Sequence, residues 1–213
     1  PAVCSACSST KFRRVKLGVT GVSEELEHIA RRPVTEVDAS TELLPDGADL
    51  YVGTEAIFHR LDNAELVAFL DFDQEILAPR YRAAEEAMSL IVHAARLVGA
   101  RENGGRILIQ TRMPQHPVLQ AAINADPGSV ARTELEMRKQ LRQPPESHWA
   151  VISGSSAAEF VERLGQRDGL EVMNANNTRW RVRSNDRELL LETLSSVERP
   201  TGRLRIEINP LRA

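Results

Sequence analysis

The chain has no excess of basic residues: 27 lysines and arginines stand against 30 aspartates and glutamates in 213 residues. Any contact with nucleic acid must therefore be local rather than a property of the whole surface. No apolar run approaches the length of a membrane span and no signal peptide is present, which predicts a soluble, cytoplasmic protein with no membrane partner. A Gly-x-x-x-x-Gly-Lys-Ser/Thr phosphate loop occurs nowhere. Aromatics make up only 4% of the residues, and the C-terminal strands lack the paired aromatics of an RNA-recognition sheet. The length suits two domains or one large one. The first residue is Pro1 rather than Met, so part of a longer polypeptide is expected.

Only two cysteines occur, as Cys4-Ser5-Ala6-Cys7. A Cys-x-x-Cys pair is half of a tetrahedral zinc site, because two thiolates on one tight knuckle fill two corners and leave two empty. A redox dithiol or a chance pairing competes with metal, although no strand-helix context supports the redox reading. None of the five histidines has ligand spacing to the pair, so this chain alone does not close such a site.

Alternating basic and apolar residues predict a strand over 12–19. Gly18-Val19-Thr20-Gly21-Val22 reads as a turn, and Ser23 as the N-cap of a helix beginning at Glu24. Its acidic first turn suits the helix dipole, and Arg31-Arg32 before Pro33 suits the other end. A short strand over 34–37 leads into an acidic loop over 39–47. Near-continuous apolar runs over 50–53 and 66–70 predict parallel strands covered on both faces. Asp71 and Asp73 then fall at a strand's carboxyl end, where they either serve ligand chemistry, as is usual in open α/β sheets, or cap the following turn. A helix over 80–98 places Ala84, Met88, Ile91, Ala95 and Val98 on one face, which makes Met88 core and His93 an interior or boundary residue. A strand over 107–110 and helices over 118–124 and 130–142 follow. Pro144-Pro145 stops the last helix and stiffens the junction, setting a domain boundary.

From Trp149 the pattern is strand (150–153), helix (157–164), strand (170–174), strand (179–183), helix (187–195) and strand (203–208). That order suggests a ferredoxin-like α+β unit of about sixty residues. Arg179, Arg181 and Arg183 alternate with Trp180 and Val182, and Arg203 and Arg205 alternate with Leu204 and Ile206. A topology flanking the first strand with these two gathers the five arginines on one exposed face. Such a face suits phosphate, because the guanidinium fork is planar and bidentate. It equally suits an edge kept charged against aggregation, and ten arginines here meet ten acids, so the net field is nil. Trp180 reads as core.

The stretch 50–101, LYVGTEAIFHRLDNAELVAFLDFDQEILAPRYRAAEEAMSLIVHAARLVGAR, has the frame of a helicase motor lobe. One strand runs into Gly53-Thr54, another ends at Asp71 and Asp73, and a long helix carries Arg96. GGRILIQTRMPQHPVLQAAINAD (104–126) and LEMRKQLRQPPESHWAVISG (135–154) continue the series. In this order the landmarks resemble the PriA family of replication-restart DNA helicases over nearly the whole chain. The resemblance implies an α/β protein. Residues 1–10 would end a cysteine zinc-binding region and 11–143 would form a RecA-like second helicase lobe on a mostly parallel sheet. Residues 146–213 would form a small C-terminal α+β domain. It also implies that a DNA-binding domain, the first motor lobe and most of the zinc region lie upstream.

The family reads VGTQM and then Lys-Gly-x-Asp, where this chain has VGTEA and His59-Arg60-Leu61-Asp62. Where the family has Gln-x-x-Gly-Arg-x-Gly-Arg, this chain runs from Val92 to Gly99 and keeps Arg96 alone. Gly99 stands at the place of the last arginine, the finger on the transferred phosphate. Such a finger is worth roughly 10³ to 10⁵ in turnover. Arg101 could replace it only in a re-registered helix, which catalysis penalises sharply. The family's helix before the VGT strand is also replaced by the loop over 39–47.

The resemblance thus implies a degenerate restart protein that binds forked or single-stranded DNA and helps reload the replication machinery without unwinding DNA. No catalytic residue is assigned. Cys4 and Cys7 match the family's last zinc pair, with Ser8-Ser9 in place of Gly-Ser. Gly53, Thr54 and Arg96 would be remnants of a nucleotide site, with ATP and Mg²⁺ left open. Arg179, Arg181, Arg183, Arg203 and Arg205 would meet nucleic acid, and the single-stranded-DNA-binding protein and other primosome proteins would be partners. The alternative is an active ATP-dependent 3′-to-5′ helicase with a displaced arginine finger. Intact nucleotide-binding residues upstream would favour that alternative.

Overall fold

A computed structural model describes residues 18–210 except 101, 103 and 177. The expected zinc knuckle at Cys4 and Cys7, the strand expected over 12–19 apart from its last two residues, and Arg101 lie outside the described residues. The architecture is α/β, with seven α-helices and three small sheets among the described residues. None of these helices is long and apolar enough to cross a membrane. The described residues group into two compact units, one within 18–67 and 93–108, the other within 68–92 and 109–210.

In the first unit α1 (Val19–Ala30) packs on β1 (Thr35–Val37) and β2 (Tyr51–Gly53), which pair in parallel. The helix starts earlier than its sequence suggested. Gly18 is the N-cap, and Ser23 lies buried inside the helix instead of capping it. Val19, Val22, Ser23 and Leu26 share one face at helical spacing, so continuing that face outweighs the cost of about 1 kcal/mol for Gly21 inside a helix. Arg31 closes α1 in the left-handed conformation at φ 53°, its N–H donating to Glu27 O at 2.8 Å. After β1, Asp38 accepts from the N–H and hydroxyl groups of Ser40 and Thr41, tying off the loop expected over 39–47. Gly53 is required by proximity: a Cβ there would sit 2.2 Å from Val37 O on the paired strand.

β3 (Leu66–Phe69), β4 (Arg106–Ile109) and the long helix α3 (Ala83–Val98) run through both units. The β3–β4 ladder advances in one direction on both strands, from Arg106 N–H to Glu65 O and from Gln110 N–H to Phe69 O. The run over 66–70 was expected to be covered on both faces, and β3 is not, nor is β4 beside it. Phe69 and Ile109 pack inward, whereas Leu66 and Leu108 are exposed on the opposite face. A two-stranded sheet has too little width to hold a second helical layer. Along α3 the inward stripe is Ala83, Ala87, Met88, Ile91, Ala94 and Leu97, and Ala95 is exposed instead of facing the core.

In the second unit α2 (Asp73–Ile76), the first part of α3, α4 (Pro117–Ile123) and α5 (Pro127–Gln140) enclose a core that includes Phe72, Ile76, Met88, Ile91, Val118 and Val130. Pro opens both α4 and α5, and Asp126 caps α5 by accepting from Ser129 N–H at 3.1 Å. The C-terminal part of the unit is β5 (His148–Ser153), α6 (Ala157–Leu164), β6 (Glu171–Asn176), β7 (Arg179–Ser184), α7 (Arg187–Ser196) and β8 (Arg205–Ile208). Its antiparallel sheet runs β6-β7-β5-β8, the split βαβ arrangement. Helices α6 and α7 cover the face carrying Ala150, Ile152 and Val182, and Trp180 packs there as expected.

Candidate functional site

The loop after β2 and the end of α3 both lie in the first unit. Thr54 is the N-cap of a 3-10 helix, Glu55–His59, its hydroxyl accepting from Ala56 N–H at 3.5 Å. The rings of Phe58 and His59 meet His93 of α3 edge-on, with centroids 5.9 and 5.8 Å apart. The loop that the resemblance aligned with a mobile Lys-Gly is therefore packed onto the helix that carries Arg96. Arg96 is exposed and, among the described residues, makes no ion pair. Gly99 is the first residue past α3, with φ 69° and its N–H on Ala95 O at 3.1 Å. The position that the resemblance set against a finger arginine is here the helix terminator. Only glycine takes that backbone conformation without penalty.

At the ends of β3 and β4 the two aspartates do different work. Asp71, at φ 58°, accepts from the Gln74 side-chain amide. Asp73 caps nothing in its own turn. It accepts the Thr111 hydroxyl and, at 3.0 Å, the Arg112 N–H, joining the segment after β3 to the segment after β4. These hydrogen bonds, Thr111 first, hold the Asp73 carboxyl below its usual range. His116 caps α4 through Nδ1, and burial lowers its pKa although Asp73 pulls it upward.

The C-terminal arginines come to one sheet face, since Arg179 and Arg205 flank Ser153, and Arg181 and Arg183 pair with Val151 and Trp149. That face is not open along its length. The three β7 arginines are half-buried, and only Arg203, just ahead of β8, and Arg205 are exposed. Arg181 lies over the Trp149 ring at 4.2 Å, where burial first and the neighbouring Arg179 and Arg183 next lower its pKa. Arg183 pairs with Glu171, which also meets Arg142 at 3.1 Å, and Arg205 pairs with Glu207 at 2.9 Å. Arg179 and Arg203 make no ion pair among the described residues. Basic character thus concentrates at one end of the sheet, around Arg179, Arg203 and Arg205. At the other end Glu171 is shared between Arg142 and Arg183 and offsets part of their charge.

The covered end is built by residues far apart in the chain. Trp149, only 4% exposed, meets Tyr81 with ring centroids 5.3 Å apart. Arg138 of α5 lies 5.2 Å from the Tyr81 ring, and the Tyr81 hydroxyl donates to Pro210 O at 3.1 Å. The result is a run of Arg138, Tyr81, Trp149 and Arg181, in which two arginines lie at the ends of a tilted aromatic pair. Arg138 is anchored by Glu85 at 2.8 Å, and Glu85 also holds Arg82 at 3.0 Å. Burial pushes the Glu85 carboxyl up, but the hydrogen bonds from Arg138 and Arg82 together bring it below its ordinary value. Sequence reasoning missed this assembly. The scarcity of aromatics, with two Trp and two Tyr in the chain, was the available signal.

Among the described residues no group of three or more His, Cys, Asp or Glu side chains is arranged to hold a metal ion. No family model matches the chain. Over 171 residues it is 23% identical to the replication restart protein PriA of Haemophilus influenzae, a match covering 73% of this chain and 23% of that protein. It is 33% identical over 160 residues to the probable replication restart protein PriA of Mycobacterium leprae, covering 73% of this chain and 24% of that protein. With the replication restart protein PriA of Synechocystis sp. it shares 29% identity over 160 residues, covering 68% and 19%. The chain spans about a fifth to a quarter of the length of these relatives.

Proposed function

Taking as premise that the chain belongs to the PriA replication restart family, as a C-terminal part of it, we propose that it serves a restart protein that binds forked or single-stranded DNA and helps reload the replication machinery without unwinding DNA itself. The observation that carries this reading is Gly99. An arginine finger works by neutralising charge in the transition state of phosphoryl transfer, and a helix that stops at a left-handed glycine presents no cation there. The ring packing of Phe58 and His59 on His93 adds to it, because a loop so held is ill suited to follow nucleotide state. Gly53, Thr54 and Arg96 are then remnants of a nucleotide groove, and ATP with Mg²⁺ is not required.

In this reading residues 11–143 are an abridged RecA-like lobe and 146–213 a ferredoxin-like domain. DNA phosphates meet the open end of the C-terminal sheet, at Arg179, Arg203 and Arg205, with Arg181 and Arg183 supporting from beneath. Cys4 and Cys7, ending the zinc-binding region 1–10, supply two thiolates. The other two corners of the tetrahedron come from ligands other than the five scattered histidines, none of which has ligand spacing to the pair. Zinc there fixes the knuckle and does no chemistry. Other primosome proteins and the single-stranded-DNA-binding protein are the partners this role requires.

The test is ATP hydrolysis by the intact parent protein with and without forked DNA, with fork binding measured in the same samples. Fork binding without turnover is expected. Turnover stimulated by the fork would overturn the reading and favour an active helicase with a displaced finger.

A further inference from the structure

A groove of about 490 Å³ opens in the second unit between the start of α3 and one face of α5, within the roughly 300–1,000 Å³ range of binding sites. Its floor is apolar, with Ile76, Ala83, Val118 and Val130 buried. Glu134 enters it from α5. This residue is 7% exposed, yet among the described residues its carboxylate accepts no hydrogen bond. Arg138 Nη2 stands 3.7 Å from it but only 2.8 Å from Glu85, so the guanidinium is committed to Glu85. Burial accordingly pushes the Glu134 carboxyl up, and Arg138 only partly offsets this.

The other ionic groups of the groove are engaged. Arg80 is held by Glu75 at 3.0 Å and Glu86 at 2.8 Å, and His116 uses Nδ1 to cap α4. A nearly buried carboxylate is ordinarily held by several donors, and this one lacks them. Around the opening the apolar surface continues onto Leu77, Met137 and Leu141, all exposed.

We propose that this groove docks a segment of a protein partner presenting a lysine or arginine flanked by bulky apolar side chains. The cationic head reaches Glu134, and the apolar flanks cover Leu77, Met137 and Leu141. A small cation alone would leave those three in water. Nucleic acid is disfavoured, because phosphates would meet Glu134 together with the Glu75 and Glu86 carboxylates around Arg80. Met137 suits a surface that must adapt to a partner, since its side chain is unbranched and polarizable.

The probe is a fluorescein-labelled Leu-Phe-Arg-Leu-Leu peptide, titrated against the full chain by fluorescence anisotropy at neutral pH. The comparisons are the same peptide with neutral citrulline in place of arginine, and hexylguanidinium as competitor. Saturable binding is expected, weakened about tenfold or more by citrulline or by Glu134→Gln, the scale of one charged hydrogen bond. Met137→Asp should weaken it as well while leaving the circular-dichroism melt of the chain in place. Glu134→Gln is near-isosteric, and the same melt verifies that it folds. Equal binding of the citrulline peptide, wild-type affinity in Glu134→Gln, or no saturable binding would overturn the proposal. So would hexylguanidinium binding as tightly as the peptide, because a small cation would then suffice.

Discussion

Trp149 is the point at which the run on the C-terminal sheet can be broken most cleanly. Replacing it with alanine removes a ring that is 4% exposed and sits between Tyr81 and Arg181. Truncation of a buried aromatic costs about 3–5 kcal/mol in transfer and cavity terms. The cation–π contact with Arg181 adds about 0.5–2 kcal/mol. Against this, the Trp149 indole N–H is buried without a partner, and deleting it returns about 1 kcal/mol or more. Trp149→Ala should therefore destabilise by about 2.5–6 kcal/mol, a fall in melting temperature of about 5–24 °C for a chain of this size. Trp149→Phe keeps a ring against Tyr81 and sheds the orphaned N–H, so it should cost no more than about 1.5 kcal/mol. Urea and thermal unfolding followed by circular dichroism measure both variants. A phenylalanine variant as unstable as the alanine one, or an alanine variant within about 1 kcal/mol of wild type, would refute the assignment of this run as a principal tie.

Gly99→Arg should not create fork-stimulated ATP hydrolysis in the intact protein, and should cost about 1 kcal/mol in unfolding because φ 69° is strained for a residue with a Cβ. Arg179→Ala with Arg205→Ala should weaken DNA binding in anisotropy titrations and reduce the slope of log affinity against log salt by about 1–2, whereas Arg183→Ala, whose partner is Glu171, should change that slope little. Asp73 has a folded pKa below its unfolded value, so its contribution is present at neutral pH and lost as pH falls through the lowered value. Asp73→Asn should therefore lower stability at pH 7, with the difference from wild type vanishing in acid. Glu134 has the opposite sign, since its folded value is raised: its contribution is present in acid and lost as pH rises through that value. Glu134→Gln should thus stabilise the free protein at neutral pH and be indifferent in acid, as pH-dependent unfolding would measure.

The parts of the fold that were legible in the sequence are those whose signals are local. The bounds of α6 were readable because Ala157, Phe160, Val161 and Leu164 make one apolar stripe and Gly165 ends it. The strand order around β5 was legible as a possibility, since alternation in β7 and β8 fixes which residues share a face. The start of α1 was obscured by Gly18 and Gly21, which read as a turn until the stripe through Val22 and Ser23 is seen packed. The sheet face carrying Leu66 and Leu108 was misread because an apolar run does not reveal how many strands lie beside it. The openness of the arginine face was misread for a related reason. Tyr81, Arg138, Trp149 and Arg181 belong to four separate elements or loops, and no periodicity in the chain links them. The Glu134 groove was equally invisible, because what distinguishes Glu134 from other acids is that Arg138, its ion-pair partner, stands closer to Glu85 and no donor among the described residues hydrogen-bonds to it.

The left-handed glycine that ends α3 also bears on how such a chain can change over generations. Every substitution at this position other than glycine carries a Cβ into a disfavoured conformation, with asparagine the mildest. An arginine there either carries that strain, as Arg31 does at the end of α1, or needs the helix to continue, which demands a new stopping residue further along. A single codon change therefore passes through a less stable protein that has gained nothing. On the proposed reading of a lapsed motor, return would require coordinated changes at several positions, so the terminator would act as a ratchet that holds a lineage to its present form.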